Sequence, residues 1–161
     1  MLNREIVNRI RHIFLHPRPH VSMTTAAALL GWSHLQMRKA IARGEIDVMT
    51  TPLATWVWRE ELMSKALELW NLDVIEAALG DDAAGVLPAA IRTCELRARV
   101  PRYQAAMLEH MAQQEATTVS AILTRELEDV ASAHLEELSS AISGFAAALE
   151  WPAVSDRDHI C

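Results

Sequence analysis

Cysteine is nearly absent: Cys94 and Cys161 stand alone in 161 residues, with no Cys-x-x-Cys spacing. That excludes a dense disulfide framework and a cysteine zinc site, and it fits a protein of the reducing cytoplasm. No uninterrupted apolar run reaches the ~18 residues that a membrane-spanning helix requires. The opening Met1–Glu5 lacks the apolar core and small-residue cleavage site of a secretory signal, so none is expected. Glycine is scarce, five in all, and Ala, Leu and Glu are abundant, which favours helix. Also missing are a glycine-rich phosphate loop, a nucleophile–base pairing and zinc-ligand spacing. Asp81 and Asp82, beside Gly80, read as a solvated turn rather than an acid/base pair. The expectation is therefore a non-enzyme that needs no cofactor. With 51% apolar residues, the chain can bury a core as one or two small domains.

The formal net charge of −6 is unevenly distributed. Residues 1–44 hold seven Arg/Lys and one Glu, whereas residues 45–90 hold two basic and nine acidic residues. Residues 91–103 turn basic again, with four Arg and one Glu, before a strongly acidic remainder. A polyanion responds to local potential rather than to net charge, so two basic blocks are compatible with nucleic acid.

Leu2, Ile6, Ile10, Ile13 and Phe14 recur at helical spacing, which predicts an amphipathic helix over 2–16. Pro17 and Pro19 end it, leaving 17–22 as a linker. Thr24 or Thr25 is positioned to cap a short helix to Leu30, broken by Gly31, and Ser33 to cap a second one to Arg43. Ile46–Trp58 is β-favouring around Thr51-Pro52-Leu53 and reads as a hairpin. Arg59–Trp70 and the stretch from Asn71 to Gly80 are helical, and 81–92 is a connection between domains. Over Thr93–Val100, Leu96, Ala98 and Val100 alternate with Glu95, Arg97 and Arg99, which predicts a strand. Two helices follow, one from Pro101 to Gln114 and one capped by Thr118, and an apolar tail with Phe145, Leu149 and Trp151 ends the pattern.

A lone strand leaves its backbone groups unpaired, and the simplest partner is the same strand of a second copy. A two-stranded ribbon fits the major groove, where arginines donate to guanine. Residues Thr93–Leu135 resemble the ribbon-helix-helix regulators (Arc, MetJ and CopG type) in their alternating strand, Val100-Pro101 start, two helices and Thr118-x-Ser120. The resemblance implies a homodimer that reads DNA with Glu95, Arg97 and Arg99, joined by Arg102 just behind the strand. It also implies that amides near Thr117, Thr118 and Val119 clamp a phosphate at the start of the second helix. Ala116 stands where that family usually has glycine.

Residues 23–46, with Ala-x-x-Leu-Gly-x-Ser and then Gly44-Glu45-Ile46, resemble the winged helix-turn-helix of MerR and excisionase proteins. A hairpin and Arg59-Glu60-Glu61-Leu62 follow in the same order. In such a unit the second helix enters the major groove. Wheel positions bury Met37, Ala40 and Ile41 and leave Ser33, His34, Gln36, Arg38, Lys39 and Arg43 for bases and phosphates, with Gln36 suited to adenine. Trp32 replaces a usual small aliphatic, and the wing has no basic residue between Ile46 and Trp58.

His12, His16 and His20 are spaced by four, but the prolines intervene, and solvated or phosphate-facing histidines are expected rather than a metal site. Trp56, Trp58, Trp70 and Trp151 are read as core. The sequence thus points to a mainly α protein in five parts: an N-terminal helix and linker (1–21), a winged helix-turn-helix with following helices (22–80), a linker (81–92), a ribbon-helix-helix module (93–137) and a helical tail (138–161). The expected function is a homodimeric transcriptional regulator of double-stranded DNA, cytoplasmic and nucleoid-associated, without contact to membranes. Two other readings stay open: an antitoxin-like interaction protein, its tail docking a protein partner, and an excisionase-like architectural factor.

Overall fold

The structure, a computed structural model, describes residues 3–152. The ends, including Leu2, Cys161 and the last part of the expected tail, lie outside the described residues. The chain is mainly helical with one small three-stranded antiparallel sheet. It divides into two compact units, one running to Thr93 and regaining the chain at Glu150, the other comprising Cys94–Leu149.

In the first unit, α1 (Arg4–Leu15) begins where the Asn3 side chain accepts the Glu5 N–H at 2.9 Å. That satisfies one of the donors which a helix start leaves without a partner. Its apolar stripe buries Ile10, Ile13 and Phe14, and it ends at His16, ahead of Pro17. The 17–22 segment, expected as a linker, instead contains β1 (His20–Ser22). This strand pairs with β3 (Thr55–Trp58), whose other edge takes β2 (Val48–Thr50), so the sheet order is β1-β3-β2. The expected hairpin is β2–β3, and β1 extends it. Three residues after two prolines show too little alternation to announce a strand, yet Val21 lies opposite the fully buried Val57.

Ser22, rather than Thr24 or Thr25, caps α2 (Met23–Leu30), its Oγ accepting the Thr25 N–H at 3.1 Å. Gly31 then turns the chain with φ +72°, a conformation that costs an L-residue about 1–2 kcal/mol. The turn lets the Trp32 N–H donate to the Ala27 carbonyl at 2.8 Å, and α3 (His34–Ala42) follows. Next come α4 (Arg59–Leu69) and α5 (Leu72–Leu79). Arg11 fastens α1 to the end of α5, donating to the Leu79 carbonyl at 2.9 Å and to Asp82 at 2.6 Å. Twenty buried apolar residues form one core, with Ile10, Met37, Val57, Ala66, Ile75 and Leu79 all at 0% exposure.

The 81–92 stretch, expected as a linker, is also part of this unit. It holds a single 3-10 turn (Gly80–Asp82) and α6 (Ala83–Val86), and it buries Ala83 and Leu87 in the core. The expectation weighed its turn residues and overlooked the apolar ones. The unit closes where Glu76 accepts the Thr93 N–H at 2.7 Å and the Thr93 hydroxyl as well. Trp32, Trp70 and Trp151 pack half-buried against the core, the last 6.3 Å from the Phe14 ring.

The second unit has α7 (Arg102–Gln114), α8 (Val119–Ala133), α9 (Leu135–Ala141) and most of α10 (Phe145–Glu150). Helices α7 and α8 meet through a left-handed cap. The Thr117 N–H donates to the Ala112 carbonyl at 2.9 Å and the Ala116 N–H to that of Gln113 at 3.3 Å, which requires φ +51° at Ala116. Among the described residues this unit buries only Ala112 and Ile122. Residues 93–100, expected as a strand, form no strand within the chain, which offers no second alternating run to complete a ladder.

Candidate nucleic-acid interface

Helix α3 is oriented by its inner face. Met37 and Ala40 are buried, and Ile41 packs half-buried against the core, as the wheel positions require. That leaves Ser33, His34, Gln36, Arg38, Lys39 and Arg43 exposed. Arg38 and Lys39 have no carboxylate within ion-pair distance among the described residues. Arg43 is held by Glu45 at 2.9 Å, so its charge is partly spent locally.

Gln36 departs from expectation. Its Oε1 accepts the Ser33 N–H at 2.7 Å while Ser33 Oγ accepts the Gln36 N–H at 3.2 Å. This reciprocal box satisfies two helix-start donors. Paired reading of adenine needs both the carbonyl and the amide of a glutamine, and the carbonyl is committed to the cap. Ser33 is likewise a capping residue first.

In the second unit, Glu95, Arg97, Arg99 and Arg102 are all exposed. Arg97 Nε lies 3.1 Å from Glu95 Oε1, a solvent-facing pair of the kind worth about 0–1 kcal/mol. Arg99 and Arg102 have no such partner among the described residues. The apolar side of the segment, expected to pack on the helices, is uncovered: Leu96 is 74% and Val100 49% exposed. The expected anion clamp at the start of α8 is thinner than the spacing suggests. The Thr117 amide is spent on Ala112, and Thr118 serves as the cap, its Oγ1 accepting the Ala121 N–H at 3.1 Å.

Glu115, in the turn before that helix, escaped the sequence reading. It takes two hydrogen bonds from Arg125, at 2.6 and 3.2 Å. The hydrogen bonds from the Arg125 guanidinium hold the Glu115 carboxyl below the usual carboxylate range; desolvation opposes them, and the guanidinium charge adds to the lowering. A separation of ten residues between helices leaves no periodic signal.

His12 and His16 stack with ring centres 4.9 Å apart, while His20 sits apart against the edges of Trp56 and Trp58. No group of three or more His, Cys, Asp or Glu side chains is arranged for a metal among the described residues. Nor is any of the described helices long and apolar enough to cross a membrane. No family model, curated protein or solved structure matches the chain.

Proposed function

We propose that the protein is a homodimeric, sequence-specific DNA-binding regulator in which α3 is a recognition helix and residues 95–100 of two copies form a ribbon. The observation that carries this reading is the outer face of α3. There His34, Arg38 and Lys39 stand exposed, while buried Met37 and Ala40 hold the helix at a fixed angle to the core. Short, rigidly mounted cationic surface is what phosphate positioning and groove contact need. The helix-turn-helix and ribbon-helix-helix resemblances supply the architecture, with α2, Gly31 and α3 as the first motif, β2–β3 as its wing, and α7–α8 behind the ribbon.

The experiment is selection of bound duplexes from a random pool, followed by binding measurements over a range of salt. Each phosphate contact adds about 0.9 to the slope of log affinity against log salt. Replacing Arg38 and Lys39 together with Ala removes two contacts from each protomer and should lower the dimer's slope by about 3.6, and Arg97→Ala with Arg99→Ala should weaken binding to the selected site most. A chain that enriches no duplex, or whose weak binding is unmoved by these four changes, is not such a regulator.

One observation favours a second reading, an interaction protein. The helices of the second unit are acidic yet expose Tyr103, Met107, Leu123, Leu127 and Val130, a surface suited to another protein. Dimerisation with no DNA enrichment is the outcome that selects it. An excisionase-like architectural role would instead appear as bending of the bound duplex.

A further inference from the structure

We propose that His12 and His16 form a two-imidazole site for a divalent transition-metal ion at the C-terminal end of α1, a site independent of the DNA contacts above. The two side chains are one turn apart on the same helix face, with ring centres 4.9 Å apart and planes 27° from parallel. Two imidazole nitrogens bound to one ion at about 2.0–2.1 Å, at an angle of roughly 100°, bring ring centres to about 5 Å. The pair therefore already has the span of a chelate, and rotation of the side-chain torsions suffices to aim both nitrogens at one point.

The far side of His16 is also prepared. Its Nδ1 lies 3.2 Å from the Arg18 carbonyl and 3.1 Å from the Arg18 N–H. In one tautomer Nδ1 accepts from that N–H. In the other, Nδ1–H donates to the carbonyl and Nε2 presents its lone pair, and this is the contact that metal-bound histidines characteristically make to a backbone oxygen. Binding at Nε2 selects the second tautomer and fixes the ring.

The carbonyl end of a helix carries partial negative charge, and both histidines lie in its last turn or at its cap. Two cations lie near: Arg11 points its guanidinium at the Ala78 and Leu79 carbonyls and at Asp82, so its charge is matched by that carboxylate, whereas Arg59 donates to the His16 carbonyl at 2.7 Å and offsets part of the helix end's negative charge. The open groove around the pair is lined by Asn8, Leu15 and Pro17 besides Arg11, and water has room to complete the coordination. With two nitrogen ligands and no carboxylate, the preference is for Cu2+, Ni2+ or Zn2+ over Mg2+ or Ca2+.

The test uses the full chain, with Ni2+ and Zn2+ titrated calorimetrically and thermal melts then run at tenfold the measured Kd. Binding confined to the folded state raises the ratio of folded to unfolded protein about elevenfold and shifts the melt upward. His12→Asn and His16→Asn should each abolish that shift, and Asn at position 16 keeps an acceptor for the Arg18 N–H. His20→Asn and His34→Asn should leave it intact. Cu2+ should broaden the ring signals of His12 and His16 before those of other histidines in a proton spectrum. An equal shift from Mg2+, no shift from Ni2+, or full retention in the His12→Asn/His16→Asn double variant overturns the proposal.

Discussion

Ala116 has φ +51°, the one non-glycine residue with positive φ among those described. A β-carbon in that region costs about 1–2 kcal/mol, offset in part by the lower unfolded-state entropy of Ala relative to Gly. Ala116→Gly should therefore stabilise the α7–α8 turn by about 1 kcal/mol, read as a higher urea midpoint with an unchanged slope. Gly31 is the reverse case. A Cβ there would come within 2.6 Å of Arg9 Nη1, and Arg9 already serves a contact with Glu5. Gly31→Ala has to displace that side chain and also bear the left-handed strain, so it should destabilise the first unit by at least about 1 kcal/mol. The sequence marked both positions, because a glycine or its replacement at a helix end is a local signal.

Between elements, the Glu115–Arg125 contact is the titratable feature of the α7–α8 turn. Its Glu115 pKa is lowered on folding, chiefly by the Arg125 hydrogen bonds. The contribution is thus complete above the ordinary carboxylate pKa and disappears as pH falls through the lowered value. A melt of the second unit followed from neutral to acid pH should lose stability in that window, and Glu115→Gln should flatten the loss. This pair was illegible in the sequence, as was the Glu76 hold on Thr93, because each joins elements at no regular spacing. By contrast α1, α3, α4 and α5 followed from apolar period and helix start and stop signals, and the β2–β3 hairpin from β-favouring runs on either side of Thr51-Pro52-Leu53. The short strand β1 and the packed 81–92 stretch did not, since their places are set by Val57 and by the core rather than by their own pattern. At the candidate site, exposure of the α3 residues was readable from the helical wheel. The diversion of Gln36 into the cap was not, although Ser33 and Gln36 stand at capping-box spacing.

At the scale of the whole molecule the two units differ in self-sufficiency. Twenty buried residues support the first, whereas the second, across 56 residues, buries two among those described. A segment of that size with so small a core stands to gain stability from the association proposed above. In the proposed dimer, Leu96, Val100 and the exposed faces of α7 and α8 supply the missing contacts. The second unit's melting temperature should then rise with protein concentration while that of the first stays fixed, monitored by separate reporters in each. Leu96→Asp should remove the concentration dependence. Equal, concentration-independent melting of both units would show that the second stands alone.

The capping box at the start of α3 also has a genetic meaning. A residue whose side chain closes the helix cannot vary freely to suit a new ligand, so Ser33 and Gln36 are a fixed frame in any repertoire built on this scaffold. Under the proposed DNA-binding function, a selection for altered duplex preference from a library randomised across 33–39 should recover changes at 34, 38 and 39 among functional clones. At 33 and 36 it should return Ser or a like capper, with Gln or Glu. What can be evolved on this surface is narrower than what is exposed on it.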